Sequence, residues 1–297
     1  QQMRPQVRAR IEELKKQGAL FVDGVPVTAQ TMQDLKIVPL VSKETQPIRW
    51  KARRLENGML FFLSNFAKPG PFEVTLRSNG KAPELFNPVT GETRKMARFW
   101  PDGEGTRVAF HVSDPADSFF VVFRNPLPAG GSVVKSERDG QPVSAAELDL
   151  YFDKEGNLIG EAAQPGNYTV TMSTGAQKKA VIAPACEPLV IKDGWTNVPG
   201  QEAPNTLTQE MVFNLPETLA KAGELKLDLG QVNVMATATL NGKEFETLWM
   251  PPFVLNVTKA LKPGENRLRL QVVSTSPTSP SFGPEVRIKP VLKSIFK

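Results

Sequence analysis

Leu225–Val273 reads LKLDLGQVNVMATATLNGKEFETLWMPPFVLNVTKALKPGENRLRLQVV, and its spacing decides the fold. Leu227–Leu229 is a short apolar strand pattern that Gly230 interrupts. Val232, Val234, Ala236, Ala238 and Leu240 then recur at every second position, the period of a strand with one buried face. Asn241-Gly242 follows at once. Both residues tolerate the positive φ of a type I′ turn, so the pair predicts a hairpin. The return strand carries Phe245 and Leu248 toward Trp249. Phe253, Leu255 and Val257 alternate again, Pro263-Gly264 turns the chain, and Leu268, Leu270 and Val272 form the next strand. Four or five short strands with tight turns and no amphipathic helix between them predict a β-sandwich.

Working outward, Gln46 to Asn125 shows the same grammar. Ile48, Trp50 and Ala52 alternate with Arg49, Lys51 and Arg53, and Asn57-Gly58 turns into the apolar run Met59–Leu63. Pro69-Gly70 precedes Phe72, Val74 and Leu76. Further strands are expected near Glu84–Phe86, Arg94–Trp100, Thr106–His111 and Ser118–Arg124. The expected plan is a small sandwich over 46–125, connecting strands and loops over 126–184 and a second sandwich over 185–297. Within 126–184, Leu148–Tyr151 and Tyr168–Met172 are expected strands. Val286 and Ile288 are expected to close the second sandwich.

The first 45 residues differ. Val7, Ile11 and Leu14 lie at i, i+4 and i+7, one stripe of a helix over Arg4–Lys16, with Pro5 in its first turn and Gly18 suited to its C′ position. Ala19–Val22 is a short apolar strand followed by Asp23-Gly24. A helix, a glycine and a strand resemble one unit of an α/β layer, and a single unit cannot bury both faces of anything. Two readings stay open for residues 1–45, a small helix packed across a sandwich or a helix–strand remnant of an α/β domain plus a linker, and 28–42 holds a short helix and an extended connector in either.

Composition narrows the function. The hydrophobic share of 40% and charged share of 23% are those of an ordinary folded domain, and 26 prolines with 22 glycines suit many short strands. A net charge of +5 is spread along the chain without a basic arm or recognition module, so no nucleic-acid partner is expected. No apolar run approaches membrane-spanning length. The one cysteine, Cys186, rules out an intrachain disulfide; it sits among small apolar residues and reads as a core residue. No apolar signal region opens the chain, which begins Gln1-Gln2-Met3-Arg4.

In order, LDLG, the alternating strand, LNGKEF, LW-x-PPF, NVTKAL and LKPGENRLRLQV resemble the sugar-binding jelly-roll domain of family 2 glycoside hydrolases. The nearest form is the C-terminal module of rhamnosidase-like family 106 enzymes. MRPQVRARIEELKKQGALFV resembles the segment that closes an α/β domain after the catalytic barrel of those enzymes. LFFLSNFAKPGPFEVTLRSNGKAPELFNPVTGE and SFFVVFRN resemble their small sandwich. The resemblance implies a mainly β chain of two tandem sandwiches, the second a galactose-binding-like jelly roll. It also implies a non-catalytic accessory role beside an upstream catalytic domain, with carbohydrate as partner. A periplasmic or secreted bacterial location follows from it, and composition leaves the cytoplasm open. Two departures stand out: GWTNVPGQEAPNTLTQEMVFNLP is poor in aromatics, and STSPTSPSFGPE is shortened, with Phe282 its only aromatic.

Site chemistry is sparse. A glycosidase of the usual kind sets two carboxylates about 5 Å or about 6.5–9.5 Å apart across the sugar. The acids nearest the specific motif, Asp228, Glu244 and Glu246, read first as turn or solvated carboxylates, and no catalytic residue is expected. Sugars are held by aromatic faces and planar polar groups. The carbohydrate-contact candidates are therefore Trp195, Trp249, Asp228 and Glu246, although Trp249–Phe253 also reads as a packed corner. Trp50 and Trp100 read as core. One histidine and one cysteine cannot build a zinc cluster, and no nucleotide-binding or nucleophile-elbow motif occurs. No cofactor is expected; structural calcium, held by scattered oxygens, leaves no trace in such a sequence. Asn167-Tyr168-Thr169 and Asn256-Val257-Thr258 match the N-glycosylation pattern. Three rivals remain: a stand-alone carbohydrate-binding protein, a structural or interaction protein with a large apolar patch, and an enzyme, which requires two acids converging in a pocket such as the joint near Pro126–Gly131.

Overall fold

The computed structural model describes residues 4–18, 28–183, 186–200, 203–275 and 279–297. The chain divides into two compact units, residues 1–40 and residues 41–297. In the first, the expected helix runs Pro5–Lys16 with proline in its first turn and Lys15 and Lys16 in its last, where their charge suits the helix dipole. Gly18, at φ 88°, ends it. No residue of this helix is buried, and Val7 of the apolar stripe is 48% exposed. A second helix, Ala29–Asp34, begins where the Thr28 side chain accepts from the Thr31 N–H. The expected strand Ala19–Val22 and its turn lie outside the described residues.

The second unit is built of antiparallel strands. Its longest sheet has eight, in the order Arg49–Leu55, Gly58–Ser64, Ser118–Asn125, Ala82–Phe86, Thr93–Met96, Leu148–Phe152, Leu158–Ala162 and Lys293–Phe296. One half of it faces the four-stranded sheet Val41–Ser42, Gly70–Leu76, Gly105–Val112, Phe99–Asp102. Phenylalanines fill the space between. Phe110 meets Phe72 of its own sheet and Phe119 of the other, and Phe66 lies edge-on to all three, at centroid distances from 5.0 to 6.4 Å.

The expected strand Arg94–Trp100 is in fact two. Thr93–Met96 belongs to the eight-stranded sheet and Phe99–Asp102 to the facing one, so the chain crosses between layers at Ala97-Arg98. Ala97 is wholly buried and bonds onward to Val133 through its carbonyl. A run of alternating apolar residues cannot show which sheet each half joins.

The other half of the long sheet faces a second four-stranded sheet: Gln141–Pro142, Val133–Arg138, Gly166–Met172, Gln177–Ile182. Leu148, Leu150, Leu158, Tyr168, Val170, Met172, Ile182 and Phe296 make its core. The stretch 126–184, read as connecting strands and loops, thus carries a sheet and a core of its own. Its outermost strand, Lys293–Phe296, comes from the far end of the chain and pairs Phe296 with Leu158. Gly160 is needed beneath it, because a Cβ there would stand 2.5 Å from the Phe296 ring.

The last sandwich carries most strands of the opening motif, but the expected return strand through Phe245 and Leu248 to Trp249 shrinks to Lys243–Glu244. Leu189–Ile191, Val286–Pro290, Leu225–Asp228 and Val254–Asn256 form one sheet. Thr196–Asn197, Thr206–Leu215, Gly264–Val273, Met235–Leu240 and Lys243–Glu244 form the other. Every second residue points inward as the period demands: Leu225, Leu227, Leu229; Ala236, Ala238, Leu240; Phe253, Leu255, Val257; Leu268, Leu270, Val272 are all buried in one cluster. Val232 and Val234 are only partly buried, since Val232–Asn233 leaves the sheet to pair with Ser281–Phe282. Cys186 packs against the same cluster.

Candidate functional site

Asn241-Gly242 makes the turn that the sequence predicts, with φ of 52° and 83°. The hairpin is short: Lys243–Glu244 pairs with Thr239 and Leu240, and the chain then leaves except for a bridge from Leu248 to Ala236. Two asparagines hold its tip. Asn241 Nδ2 donates to the Ala260 carbonyl at 2.8 Å and to Asn266 Oδ1 at 2.7 Å, and its Oδ1 accepts from the Arg267 N–H at 2.9 Å. Asn266, 1% exposed, donates to the carbonyls of Lys262 and Gly264 and accepts from the Lys262 N–H. The two asparagines thus tie the hairpin tip, the 258–262 turn and the start of the following strand together.

Lys243 emerges from that tip with its ammonium 4.9 Å from the centre of the Phe245 ring, a cation–π contact that restricts it. Together with Glu224, Asn256, Thr258 and Lys259 it lines an open groove of about 450 Å³. The backbone N–H and the hydroxyl of Thr258 both reach Asn256 Oδ1, at 3.2 and 2.8 Å. This local turn explains the Asn-Val-Thr spacing. Asn256 Nδ2 donates to Glu224 Oε1 at 3.0 Å, and Glu224 Oε2 accepts from Lys293 Nζ at 3.3 Å. Both oxygens of the one carboxylate in the lining are therefore engaged. Lys243 and Lys259 have no acidic partner among the described residues. The groove is net positive.

Behind it, Lys293 leads into an ionic network on the outer face of the long sheet. Glu161, its side chain 14% exposed, accepts from Tyr151 Oη at 3.0 Å and lies 3.3 Å from Lys226, 3.7 Å from Arg94 and 3.8 Å from Lys293. Arg94 also reaches Asp149 at 2.5 Å and Glu92 at 2.7 Å, and it lies over the Tyr151 ring. Burial opposes the Glu161 charge, but Arg94 and Lys226 outweigh it and hold the carboxyl below its usual range. Burial, reinforced by Glu161, pushes the Tyr151 hydroxyl up to about 12. These charges join the middle and last sandwiches.

The four contact candidates do not converge on the groove, and none of them lines it. Trp195 is partly buried, edge-on to Phe282 at 5.0 Å, and packs against the last core. Asp228 binds Lys289 at 2.5 Å and caps the Gly230 N–H at 2.9 Å. Its burial opposes the charge, but these partners hold its carboxyl below the usual range. Glu246 is exposed, beside the Thr237–Thr247 hydroxyl pair. Trp249 is 55% exposed, an aromatic face open to solvent, while Phe253 of the same corner is buried. Trp50, read as core, is 42% exposed on the edge strand. The groove residues escaped the sequence reading because lysine, asparagine and threonine in turns carry no distinctive spacing; only the Asn-Gly hairpin marked the place.

Among the described residues no three His, Cys, Asp or Glu side chains gather as a metal site would require. No described helix is long and apolar enough to cross a membrane.

No family model matches the chain. A Formosa agariphila protein provisionally named a beta-glucuronidase is 42% identical over 73 residues, which are 24% of this chain and 6% of that protein. The structure of a rhamnosidase from Novosphingobium sp. PP1Y aligns over 89% of this chain and 26% of its own, with a TM-score of 0.54 and 20% identity. An alpha-L-rhamnosidase of Streptomyces avermitilis aligns over 86% of this chain and 24% of its own with a TM-score of 0.23 and 13% identity, too low a score to carry an argument. The chain spans about a quarter or less of the length of these three proteins. The Novosphingobium structure shows the fold alone: the run of β-sheets seen here occurs as about a quarter of that chain.

Proposed function

We propose that this chain is a non-catalytic accessory region of a glycoside hydrolase resembling an α-L-rhamnosidase, bracing the catalytic domain and contacting carbohydrate through its last sandwich. One observation carries the reading. The groove of that sandwich presents a single carboxylate, Glu224, already bonded through both oxygens, whereas the usual glycosidase mechanism needs two facing acids with room for sugar or water between them. The setting supports it: the fold is shared with a segment of a rhamnosidase, and a 73-residue stretch is similar to a protein provisionally named a beta-glucuronidase. Val7 is exposed and Ile11 and Leu14 are only half-buried, a stripe that suits a helix packing against a further layer. Trp249 supplies the aromatic face for sugar C–H surfaces.

The test pairs activity with binding. The chain alone is expected to release no nitrophenol from aryl α-L-rhamnosides or β-glucuronides above the buffer rate. In calorimetric titration with a glycan panel it is expected to bind at least one oligosaccharide. Turnover by this chain that Glu224→Gln abolishes would place the catalytic site here and overturn the proposal.

A further inference from the structure

We infer that the groove between Lys243 and Lys259 binds an acidic saccharide, one bearing a carboxylate or a sulfate ester. The inference rests on the carbohydrate-contact reading and adds the charge of the ligand. Three features carry it. Glu224, the only acid among the described lining residues, is neutralised by Lys293 and capped by Asn256, so it does not cancel the remaining cations. Lys243 and Lys259 are both left without an acidic partner among the described residues, whereas Lys192, Lys221, Lys226 and Lys289 of the same sandwich pair with Glu285, Glu217, Glu161 and Asp228. The frame holding the two lysines is rigid on both sides. Asn241 and Asn266 fix the hairpin that carries Lys243, and the Asn256–Thr258 turn precedes Lys259.

The volume, about 450 Å³, lies in the range of small-ligand sites and takes one or two sugar rings. A neutral sugar would leave both ammonium groups facing no counter-charge. An acidic ring places its anion between them while its hydroxyls meet the Asn256 and Thr258 side chains. Because the groove is open, the electrostatic contribution is screened by salt and modest for each lysine.

The experiment titrates the full chain with three probes at low and at physiological ionic strength: a galacturonate oligosaccharide, a sulfated galactan oligosaccharide and a neutral rhamno-oligosaccharide. The same titrations use Lys243→Ala/Lys259→Ala, and thermal melts confirm that this variant of two exposed side chains is folded. The expected result is binding of an acidic probe that weakens about tenfold in the double variant and falls with salt, and that Lys243→Arg/Lys259→Arg restores. Binding of the uronate identifies a carboxylate ligand and binding of the sulfated probe a sulfate ligand; either supports the inference. Binding of the neutral probe alone, or acidic binding indifferent to both lysines, overturns it and leaves the accessory reading standing. Binding of no probe sinks the inference and carbohydrate contact together.

Discussion

The side-chain amide of Asn241 donates to the side-chain carbonyl of Asn266 at 2.7 Å, and Asn266 completes its bonding on three backbone groups while almost wholly buried. A buried polar group left without its partner costs more than a bond is worth when made. Asn266→Ala is expected to lower unfolding stability by about 2–3 kcal/mol, and Asn266→Asp, which keeps the acceptor and loses both donors, by a similar amount. Urea denaturation of the chain measures both. A loss under about 0.5 kcal/mol, within the range of ordinary surface changes, would show that the tip is not held by this residue.

Glu161 should set part of the acid limit. Its carboxyl is held below the ordinary 4.5 in the folded chain, against burial, by Arg94 and Lys226. A depressed folded value means the contribution is fully present above about 4.5, the unfolded value, and is lost as pH falls through the folded one. Glu161→Gln is therefore expected to lower the melting temperature at pH 7. Its melting temperature should also depend less steeply on pH below about 4.5 than that of the wild type. Parallel curves for the two proteins across that window would exclude the role.

Gly58 opens the strand next to Ser118–Asn125, and a Cβ at this position would stand 1.7 Å from the Phe123 carbonyl oxygen. The obstacle is the backbone of a strand paired on both sides, with Met59 and with Pro83, and it cannot easily step aside. Gly58→Ala is expected to cost about 3 kcal/mol or more and to reduce soluble yield. A melting temperature unchanged from wild type would show that the two strands separate more easily than the sheet implies.

Asp228 and Trp249 separate structure from contact. Asp228→Asn breaks a bond to Lys289 and keeps an oxygen for the Gly230 N–H, so a loss of about 1 kcal/mol in stability is expected with glycan affinity unchanged. Trp249→Ala removes a half-exposed ring and should leave the melting temperature within about 2 °C, consistent with a surface change. It should also weaken about tenfold an oligosaccharide that stacks on this ring, while a ligand held between Lys243 and Lys259 is unaffected. Titration and melting of both variants decide between them; the reverse pattern would exchange the two roles.

The sequence announces much of the last sandwich because Met235–Leu240 and Gly264–Val273 each alternate on their own and Asn241-Gly242 and Pro263-Gly264 spell two of its turns. Local signals suffice there. They fail where pairing is remote. Lys293–Phe296 buries only Phe296 and pairs with residues 158–161, so nothing nearby betrays it as a strand. Residues 133–182 were hard to read for a related reason: their core forms only against strands of a sheet begun by the first sandwich. The candidate site was less legible still. Trp195 and Trp249 look alike in sequence, and only the presence of Phe282 edge-on to Trp195 tells the buried ring from the open one.

The return of residues 293–296 to the long sheet sets a timetable for folding. During synthesis the middle sandwich is made well before its edge strand, so the Leu158–Ala162 edge stays open until the whole last sandwich has left the ribosome. An open strand edge invites pairing with other chains. The last sandwich therefore acts as the carrier that delivers the latch, and a chain stalled or clipped anywhere within it exposes the flank of a neighbour already in place.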